Sequence, residues 1–380
     1  MDYFRNMGFR KTFMISQPSK LHVSPKTMVT CLVIGDPHFK VSEMIASQEM
    51  ANAIVKIAQE RNPDFIVCLG DTLDRHETIH TDPLTIATKW LRQLTELAPL
   101  YLLIGNHDRV NNSDFLSEKH PFVALKWWHN LTLVDQVYIT TIQDLAFFFV
   151  PYVPPGRFFE ALATHPEWSH DGYREVPWSA GFSHQEFYGI KMAPNIFSGK
   201  GDHWPLDWPL LINGHIHDRD VPQANIISVG TPRQHDFDES FDKSLSLFTF
   251  EKGSHREERI FLPLPKKIIL RLSVKEFLTY ELPYPLLDHL KIEIHGTRAE
   301  IIASRKLDKV KNFRKRGIKV VTKDIEAGKK QEKKECLPSE KSFRDRLSIR
   351  AKEDPDVEKI FQRLFRQNKK VLIKKKKKTI

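Results

Sequence analysis

The sequence predicts an α/β fold, because short apolar runs alternate along the chain with segments of helical spacing. The first three runs are Cys31–Ile34, Phe65–Leu69 and Tyr101–Ile104, and each is followed by a glycine. Continuous apolar runs of this length are typical of strands that are buried on both faces. Residues 43–61 and 84–98, between these runs, have helical spacing. The alternation therefore predicts strands and helices arranged in layers.

Later apolar runs predict strands beyond those of the first sheet. They lie at residues 131–140, 145–153, 210–213 and 226–229. We assign these runs to a second sheet of the same domain. No internal repeat accompanies them, so a solenoid or propeller is not expected.

Shifts in composition divide the 380 residues into four parts. We expect an N-terminal extension at residues 1–27, a main α/β domain at 28–262, a small α/β capping domain at 263–322, and a Lys-rich linker, helix and basic tail at 323–380. The tail helix is expected near residues 355–366, where apolar side chains fall on one face.

The net charge of +10 lies almost wholly in the tail. Residues 329–380 contain 19 Lys or Arg and 8 Asp or Glu, whereas residues 1–328 contain 39 and 40. In one interpretation, such a segment is solvated or serves nuclear targeting. In the other, it supplies sequence-independent affinity for nucleic acid. The sequence leaves both interpretations open.

Cysteine content and hydropathy favour an intracellular protein, in the nucleus or the cytoplasm. The three cysteines are too few for a disulfide framework, and no early run resembles a secretory signal. The longest apolar run, at residues 145–153, is much shorter than the roughly twenty residues that a membrane span needs. We therefore expect neither secretion nor membrane insertion.

Five polar clusters carry the functional information, and each follows a predicted strand. They are Gly35-Asp36-Pro37-His38, Gly70-Asp71-Thr72-Leu73-Asp74-Arg75, Gly105-Asn106-His107-Asp108, Ser183-His184-Gln185-Glu186 and Gly214-His215-Ile216-His217. Open α/β sheets bind ligands beyond the carboxyl ends of their strands. Carboxylates, imidazoles and an amide without thiolates suit Mn²⁺, Fe²⁺ or Zn²⁺, and argue against a structural zinc. A pair of such cations promotes phosphoester hydrolysis, the reaction class that the clusters indicate.

In order and spacing, the clusters resemble the signature of the calcineurin-like metallophosphoesterase superfamily over roughly residues 30–235. The resemblance implies a four-layer α-β-β-α sandwich of two mixed sheets. It also implies two divalent cations, for which we expect Mn²⁺, with Fe²⁺, Zn²⁺ and Mg²⁺ as alternatives. One cation would be bound by Asp36, His38, Asp71 and His217. The other would be bound by Asp71, Asn106, His184 and His215.

The resemblance also implies a catalytic pair in the third cluster. His107 would face the scissile phosphate as an acid or as a stabiliser of the transition state, and Asp108 would orient its imidazole ring. For the lone histidine of the fourth cluster, His165 and His170 are alternatives to His184.

The second cluster contains a further pair whose role stays open. Asp74 and Arg75 are expected to form a structural ion pair beneath the site. In the alternative, Arg75 and His76 reach a phosphate of the substrate.

The segment Asn225–Gln234, followed by Phe237-Asp238-Glu239, resembles the equivalent stretch of SbcD-type DNA repair nucleases and their phage and viral counterparts. This resemblance implies a DNA exonuclease, with some endonuclease activity, that acts in repair or recombination. Its partners would be DNA and an SbcC-like coiled-coil ATPase docked on residues 355–366, and homodimer formation stays open. The alternatives are a small-molecule or cyclic-nucleotide phosphodiesterase and a non-catalytic scaffold on the same fold.

Overall fold

The computed structural model describes residues 28–168, 176–193 and 196–325. The predicted N-terminal extension, the tail helix and the basic tail lie outside the described residues, as does His170. In the described part of the chain, no helix combines the length and the apolar character that crossing a lipid bilayer requires.

Strands and helices alternate through the described chain, as the apolar runs predict. The helices are α1 (Met44–Arg61), α2 (Thr81–Thr95), α3 (Phe158–Leu162), α4 (Val274–Thr279), α5 (Arg298–Arg305) and α6 (Asp308–Lys315). The strands are β1 (Val29–Ile34), β2 (Phe65–Cys68), β3 (Leu100–Leu103), β4 (Leu131–Val134), β5 (Tyr138–Ile142), β6 (Leu145–Val150), β7 (Trp178–Ser183), β8 (Lys191–Ala193), β9 (Ile196–Phe197), β10 (Leu211–Asn213), β11 (Asp220–Gln223), β12 (Ile226–Ser228), β13 (Leu245–Glu251), β14 (Ser254–Ile260), β15 (Lys267–Ser273), β16 (His289–Gly296) and β17 (Lys319–Asp324).

Two large sheets dominate the fold, and both contain parallel and antiparallel neighbours. The first has the strand order β14-β13-β1-β2-β3-β4, and the second has the order β11-β12-β10-β7-β6-β5. In the first, β1 to β4 are parallel and β13 is antiparallel to β1. In the second, β12, β10, β7 and β6 are parallel, and β11 and β5 are antiparallel edges. The predicted pair of mixed sheets is confirmed.

Each central strand faces two hydrophobic cores, which explains the continuous apolar runs of the sequence. In β1, Leu32 and Ile34 pack in the core that also holds the inner faces of α1 and α2. Cys31 and Val33, on the other face of the strand, pack in the core between the two sheets. Because successive side chains of a strand point to opposite faces, such a strand needs apolar residues at every position.

The outer face of the second sheet is covered by a thinner layer. Phe148 and Val150 of β6 pack there with Phe158 and Leu162 of α3. Since α3 has only five residues, this outer layer is formed among the described residues by one short helix and connecting segments. The α-β-β-α order is therefore present with unequal helical layers.

The single strand predicted over residues 131–140 is wrong. β4 lies at the edge of the first sheet and β5 at the edge of the second, so the chain crosses between the sheets here. Asp135 lies at the crossing, where its carboxylate is 3.2 Å from Nε2 of His120 and 2.7 Å from Nζ of Lys126. A change of sheet anchored by a buried carboxylate has no signature in a hydrophobicity pattern.

The chain divides into two compact units. One contains the described residues up to Leu270 together with Leu282–Lys291, and the other contains Arg271–Glu281 and the described residues from Ile292 onward. Helices α4, α5 and α6 belong to the second unit. Strands β15, β16 and β17 form a three-stranded sheet in this order. The predicted domain boundaries at residues 262 and 322 stay predictions.

A buried ion cluster fastens the start of α1 to the segment that follows β12. Oε2 of Glu43 lies 2.5 Å from Nη1 of Arg233, and Oε1 of Glu43 contacts Nζ of Lys267. The side chains of Arg233 and Lys267 are only 5% and 8% exposed, so both cations depend on this carboxylate. Although burial works to raise it, the hydrogen bonds from Lys267 and Arg233 hold the pKa of Glu43 below its ordinary value.

Replacing Glu43 by Gln is expected to lower the free energy of unfolding by about 3 kcal/mol at neutral pH, because two buried cations lose their counter-charge. The carboxylate stabilises the fold above its unfolded pKa of about 4.3, and this contribution is lost as the pH falls through the lower folded pKa. Urea unfolding at neutral and acidic pH measures both effects. The control is Glu49→Gln, on the exposed side of α1. A difference between wild type and Glu43→Gln that stays constant down to strongly acidic pH would contradict this account.

Candidate metal centre

The five polar clusters meet at one edge of the two sheets. Asp36, Asp71 and Asn106 follow the parallel strands β1, β2 and β3 of the first sheet. His184 and His215 follow the parallel strands β7 and β10 of the second. Because the carboxyl ends of parallel strands share an edge, strand order alone brings these side chains together.

The first group of candidate ligands consists of Asp36, His38 and His217. One donor atom from each lies within 4.8 Å of the others. Nε2 of His38 is 3.0 Å from Nε2 of His217. Nδ1 of His217 donates to Oε1 of Glu239 at 2.8 Å, because a carboxylate only accepts, and this leaves the Nε2 lone pair facing the group.

The second group consists of Asp71, His184 and His215, whose donor atoms also lie within 4.8 Å of one another. Asn106 belongs to it, since its Oδ1 is 3.0 Å from Nε2 of His184 and 2.9 Å from Nδ1 of His215. Nδ1 of His184 donates to the carbonyl of Leu69 at 2.9 Å, which turns its Nε2 towards the group.

Asp71 lies between the two groups. Its Oδ2 is 3.8 Å from Nε2 of His38 in the first group and 3.4 Å from Nε2 of His184 in the second. The structure thus brings all seven predicted ligand residues together, with Asp71 between the two groups.

The donors fit divalent cations. Oδ2 of Asp36 is buried and has no hydrogen-bond partner among the described residues, and Nε2 of His38 faces another imidazole nitrogen. A carboxylate oxygen and imidazole nitrogens that converge in this way offer lone pairs to a cation between them. Nitrogen and oxygen donors without sulfur suit Mn²⁺, Fe²⁺ or Zn²⁺.

The pKa values show how crowded the centre is. Burial raises the pKa of Asp36 to about 6, with His184 opposing the shift and Asp71 adding to it. Burial also disfavours ionisation of Asp71, yet the facing His184 and His38 hold its pKa well below the ordinary range. Burial lowers the pKa of His215 to about 3, so this imidazole is neutral and one of its nitrogens is available as a ligand.

Close approach of the loops is made possible by backbone conformation. His38, Asp71 and His215 have positive φ angles of 44°, 47° and 71°, which non-glycine residues rarely adopt outside constrained sites. Gly105 is required for a different reason: a Cβ atom there would lie 2.2 Å from Oδ1 of Asp71. The tight turns after the strands therefore serve the approach of donor atoms.

His107 lies beside the two groups and is held by two hydrogen bonds. Its amide donates to Oδ1 of Asp71 at 2.7 Å, and its Nδ1 donates to the carbonyl of Asp74 at 2.8 Å. A carbonyl only accepts, so the second bond fixes a proton on Nδ1, and Nε2 takes no part in it. The ring of His76 stacks on that of His107 with centroids 4.6 Å apart.

Asp108 does not orient the His107 ring, and this part of the prediction is wrong. Its carboxylate turns away from the imidazole and accepts the backbone amides of Thr72, Leu73 and Gly105 at 3.2, 2.9 and 3.1 Å. Burial and the charge of Asp71 raise the pKa of Asp108 to about 7, with these amides opposing the shift. Asp108 instead ties the loop after β3 to the loop after β2.

Comparisons with known proteins agree with this geometry. The sequence profile described as Calcineurin-like phosphoesterase matches residues 29–219. "Putative phosphoesterase 078R" of Invertebrate iridescent virus 3 is 39% identical over 297 residues, which cover 78% of this chain and 82% of that protein. "Putative phosphoesterase 244L" of Invertebrate iridescent virus 6 is 38% identical over 291 residues, which cover 75% of this chain and 96% of that protein.

The chain belongs to the calcineurin-like phosphoesterase family. The superfamily predicted from the five clusters is thereby confirmed, and with it a phosphoesterase hydrolase that carries candidate sites for two divalent metals. Among solved structures, the purple acid phosphatase PPD1 of yellow lupin has 11% identity and a TM-score of 0.42, over 62% of this chain and 51% of that one.

In this phosphoesterase, His165 does not replace His184: its Nδ1 accepts the amide of Glu167 at 3.3 Å, within its own turn. The other alternative, His170, is outside the described residues. The expected ion pair between Asp74 and Arg75 is absent from the described structure, in which the Asp74 carboxylate lies 3.9 Å from Nδ1 of His38.

Sequence reasoning missed three residues that support the phosphoesterase centre. Oε2 of Glu239 accepts the amide of His235 at 2.9 Å and lies 3.0 Å from Nζ of Lys243, while its other oxygen holds His217. The ring of His235 packs against His38 with centroids 4.9 Å apart. Although burial works to raise it, His217 and Lys243 hold the pKa of Glu239 at about 2. The sequence signals were the position of these residues after the last histidine pair and, for Glu239, the resemblance of the stretch Phe237-Asp238-Glu239.

Glu239→Gln is expected to weaken Mn²⁺ binding by roughly tenfold to a hundredfold, because the amide no longer fixes the tautomer and orientation of His217. Titration calorimetry of chelator-treated protein measures this affinity without reference to turnover. The matched control is Asp238→Asn, which removes the same charge one residue away and makes no hydrogen bond to His217. If both variants lose the same affinity, the effect is one of net charge and the positioning role is refuted.

Proposed function

We propose that this phosphoesterase is a two-metal-dependent nuclease that hydrolyses DNA phosphodiester bonds, acting as an exonuclease with some endonuclease activity. The observation that carries the proposal is the pair of donor groups with Asp71 between them, beside His107, whose Nδ1 is bound to the carbonyl of Asp74. Such a site is suited to a phosphodiester with one group on each side of phosphorus. The matched phosphoesterase profile supports the reaction class.

The residues would have two roles: seven would bind the cations, and His107 would transfer a proton. Asp36, His38, Asp71 and His217 would hold one cation, and Asp71, Asn106, His184 and His215 the other. When bound, two such cations lower the pKa of water and neutralise charge on the phosphoryl oxygens. In its imidazolium form, with a proton on each ring nitrogen, His107 would donate the Nε2 proton to the departing oxygen while its Nδ1 proton stays on the carbonyl of Asp74.

Charge supports DNA as the substrate. Residues 292–325 of the second unit contain ten Lys or Arg and four Asp or Glu, and the tail from residue 329 adds a further excess of basic residues. Basic residues that neutralise phosphates give affinity without base preference. A small-molecule phosphodiesterase would have no use for this charge.

An SbcC-like coiled-coil ATPase is proposed as the partner, docked on residues 355–366. The support is the amphipathic pattern of this segment and its separation from residue 322 by a charged linker. Both features come from the sequence, since the segment lies outside the described residues.

His107→Asn is expected to reduce Mn²⁺-dependent cleavage of linear DNA by roughly a hundredfold to ten-thousandfold, because the departing oxygen loses its proton donor. Mn²⁺ affinity is expected to stay unchanged, since His107 belongs to neither donor group. Gel assays of DNA and calorimetry of Mn²⁺ binding measure the two quantities. Wild-type protein that hydrolysed a chromogenic diester and left single-stranded and duplex DNA intact with each metal would refute the nuclease.

Removal of residues 326–380 is expected to weaken DNA binding and to flatten the dependence of log Kd on log salt, because fewer phosphates are neutralised. Fluorescence anisotropy with one labelled duplex over a series of salt concentrations gives both values. A control chain with the five lysines at 374–378 changed to glutamine separates charge from the rest of the tail. Equal affinity and slope in full-length and shortened chains would leave the tail no role in DNA binding.

A further inference from the structure

Two sides of the candidate metal centre differ in their balance of charge. On one side, a cavity of about 300 Å³ is lined by the candidate ligands His215 and His217 and by Asp236, Asp238 and Glu239. Lys191 and Asp218 complete its charged lining. Acidic groups therefore outnumber basic ones at this mouth of the centre.

Not all of this negative charge is neutralised within the protein. Glu239 and Asp218 both lie within 3.0 Å of Nζ of Lys243. Asp236 and Asp238 are exposed and form no hydrogen bond or ion pair with any residue that the structure describes. We call Asp236 and Asp238 the acidic rim, because their carboxylates are free to act on a ligand.

The side of His107 carries more basic than acidic groups. A cavity of about 220 Å³ is lined by His107 together with the basic Arg75, Arg109 and Lys119 and the acidic Glu77 and Asp108, and by none of the candidate metal ligands. Arg75 also lines a neighbouring cavity of about 330 Å³, together with Lys40 and Asp74. The guanidinium of Arg75 is exposed and, within the described parts of the chain, has no hydrogen-bond or ion-pair partner.

The position of His107 determines on which side of the centre the leaving group of a phosphodiester lies and on which side the retained group lies. In hydrolysis, the oxygen of water forms a bond to phosphorus, and the bond from phosphorus to the departing oxygen breaks with its electron pair. The departing oxygen takes a proton from His107, and the water supplies the proton that restores it. The leaving group therefore lies beside His107 and Arg75, and the group retained on phosphorus extends away from them.

We infer that Asp236 and Asp238 are specificity-determining residues that reject a phosphate on the retained group. Like charges at this mouth repel a phosphorylated retained group, whereas Arg75 favours phosphates on the leaving group. The preferred substrate is then a phosphodiester at the end of a polyanionic chain, with a single phosphate-free nucleoside as the retained group. This inference rests on the proposed function for the role of His107.

Two chromogenic esters isolate the retained group. Thymidine 5′-(p-nitrophenyl phosphate) and the same ester phosphorylated on its 3′ hydroxyl both release p-nitrophenol and differ only in the retained nucleoside. Wild-type protein is expected to show a higher kcat/KM for the ester without the additional phosphate. In Asp236→Asn/Asp238→Asn, the ratio of the two kcat/KM values is expected to shrink by roughly threefold to tenfold, since two charges are removed. Raising the salt concentration is expected to shrink the wild-type ratio in the same direction.

The control is Glu49→Gln/Glu251→Gln, which removes two exposed carboxylates of the same unit that line none of these cavities. Asp238→Asn alone is a milder variant that tests the same inference if the double variant folds poorly. Its thermal unfolding is measured to show that it is folded. An equal ratio in wild type and in both rim variants, or a preference of wild type for the phosphorylated ester, would overturn the inference. If the ratio changes as expected but DNA is not cleaved, the role of the acidic rim in specificity is supported and DNA as the substrate is refuted.

Discussion

The carboxylate of Asp71 is the interaction on which the rest of the centre depends. One oxygen lies near imidazoles of both donor groups, and the other accepts the amide of His107. Burying a carboxylate costs several kcal/mol unless opposite charge and hydrogen-bond donors surround it. The loops must therefore approach Asp71 closely, which is why Gly105 has no room for a side chain and why Asp71 itself has a positive φ.

The candidate ligands were predictable from the sequence because each follows a strand directly. A buried parallel strand is visible as an apolar run, and its end is marked by a glycine or serine and a polar residue. Once the order of the strands is that of a mixed α/β sandwich, Asp36, Asp71 and Asn106 must share one edge with His184 and His215. The chemistry of the donors and the predicted fold therefore point to the same site.

The supporting residues were not predictable in this way, because their positions depend on tertiary contacts. Glu239 and His235 lie in an irregular segment after β12, where no apolar run marks a boundary. Asp108 follows His107 in sequence, yet its carboxylate turns away to three backbone amides. The crossing at Asp135 is missed for the same reason: its partners His120 and Lys126 are fixed by packing.

The loop after β2 couples the two parts of the centre. Within six residues it contributes the carboxylate of Asp71, the carbonyl of Asp74 that fixes His107, the free guanidinium of Arg75 and the ring of His76 stacked on His107. Its backbone is held by the Asp108 carboxylate, which accepts the amides of Thr72 and Leu73. A displacement of this loop would thus move the Asp71 carboxylate and the His107 ring together. The position of His107 relative to the two donor groups is therefore set by one segment.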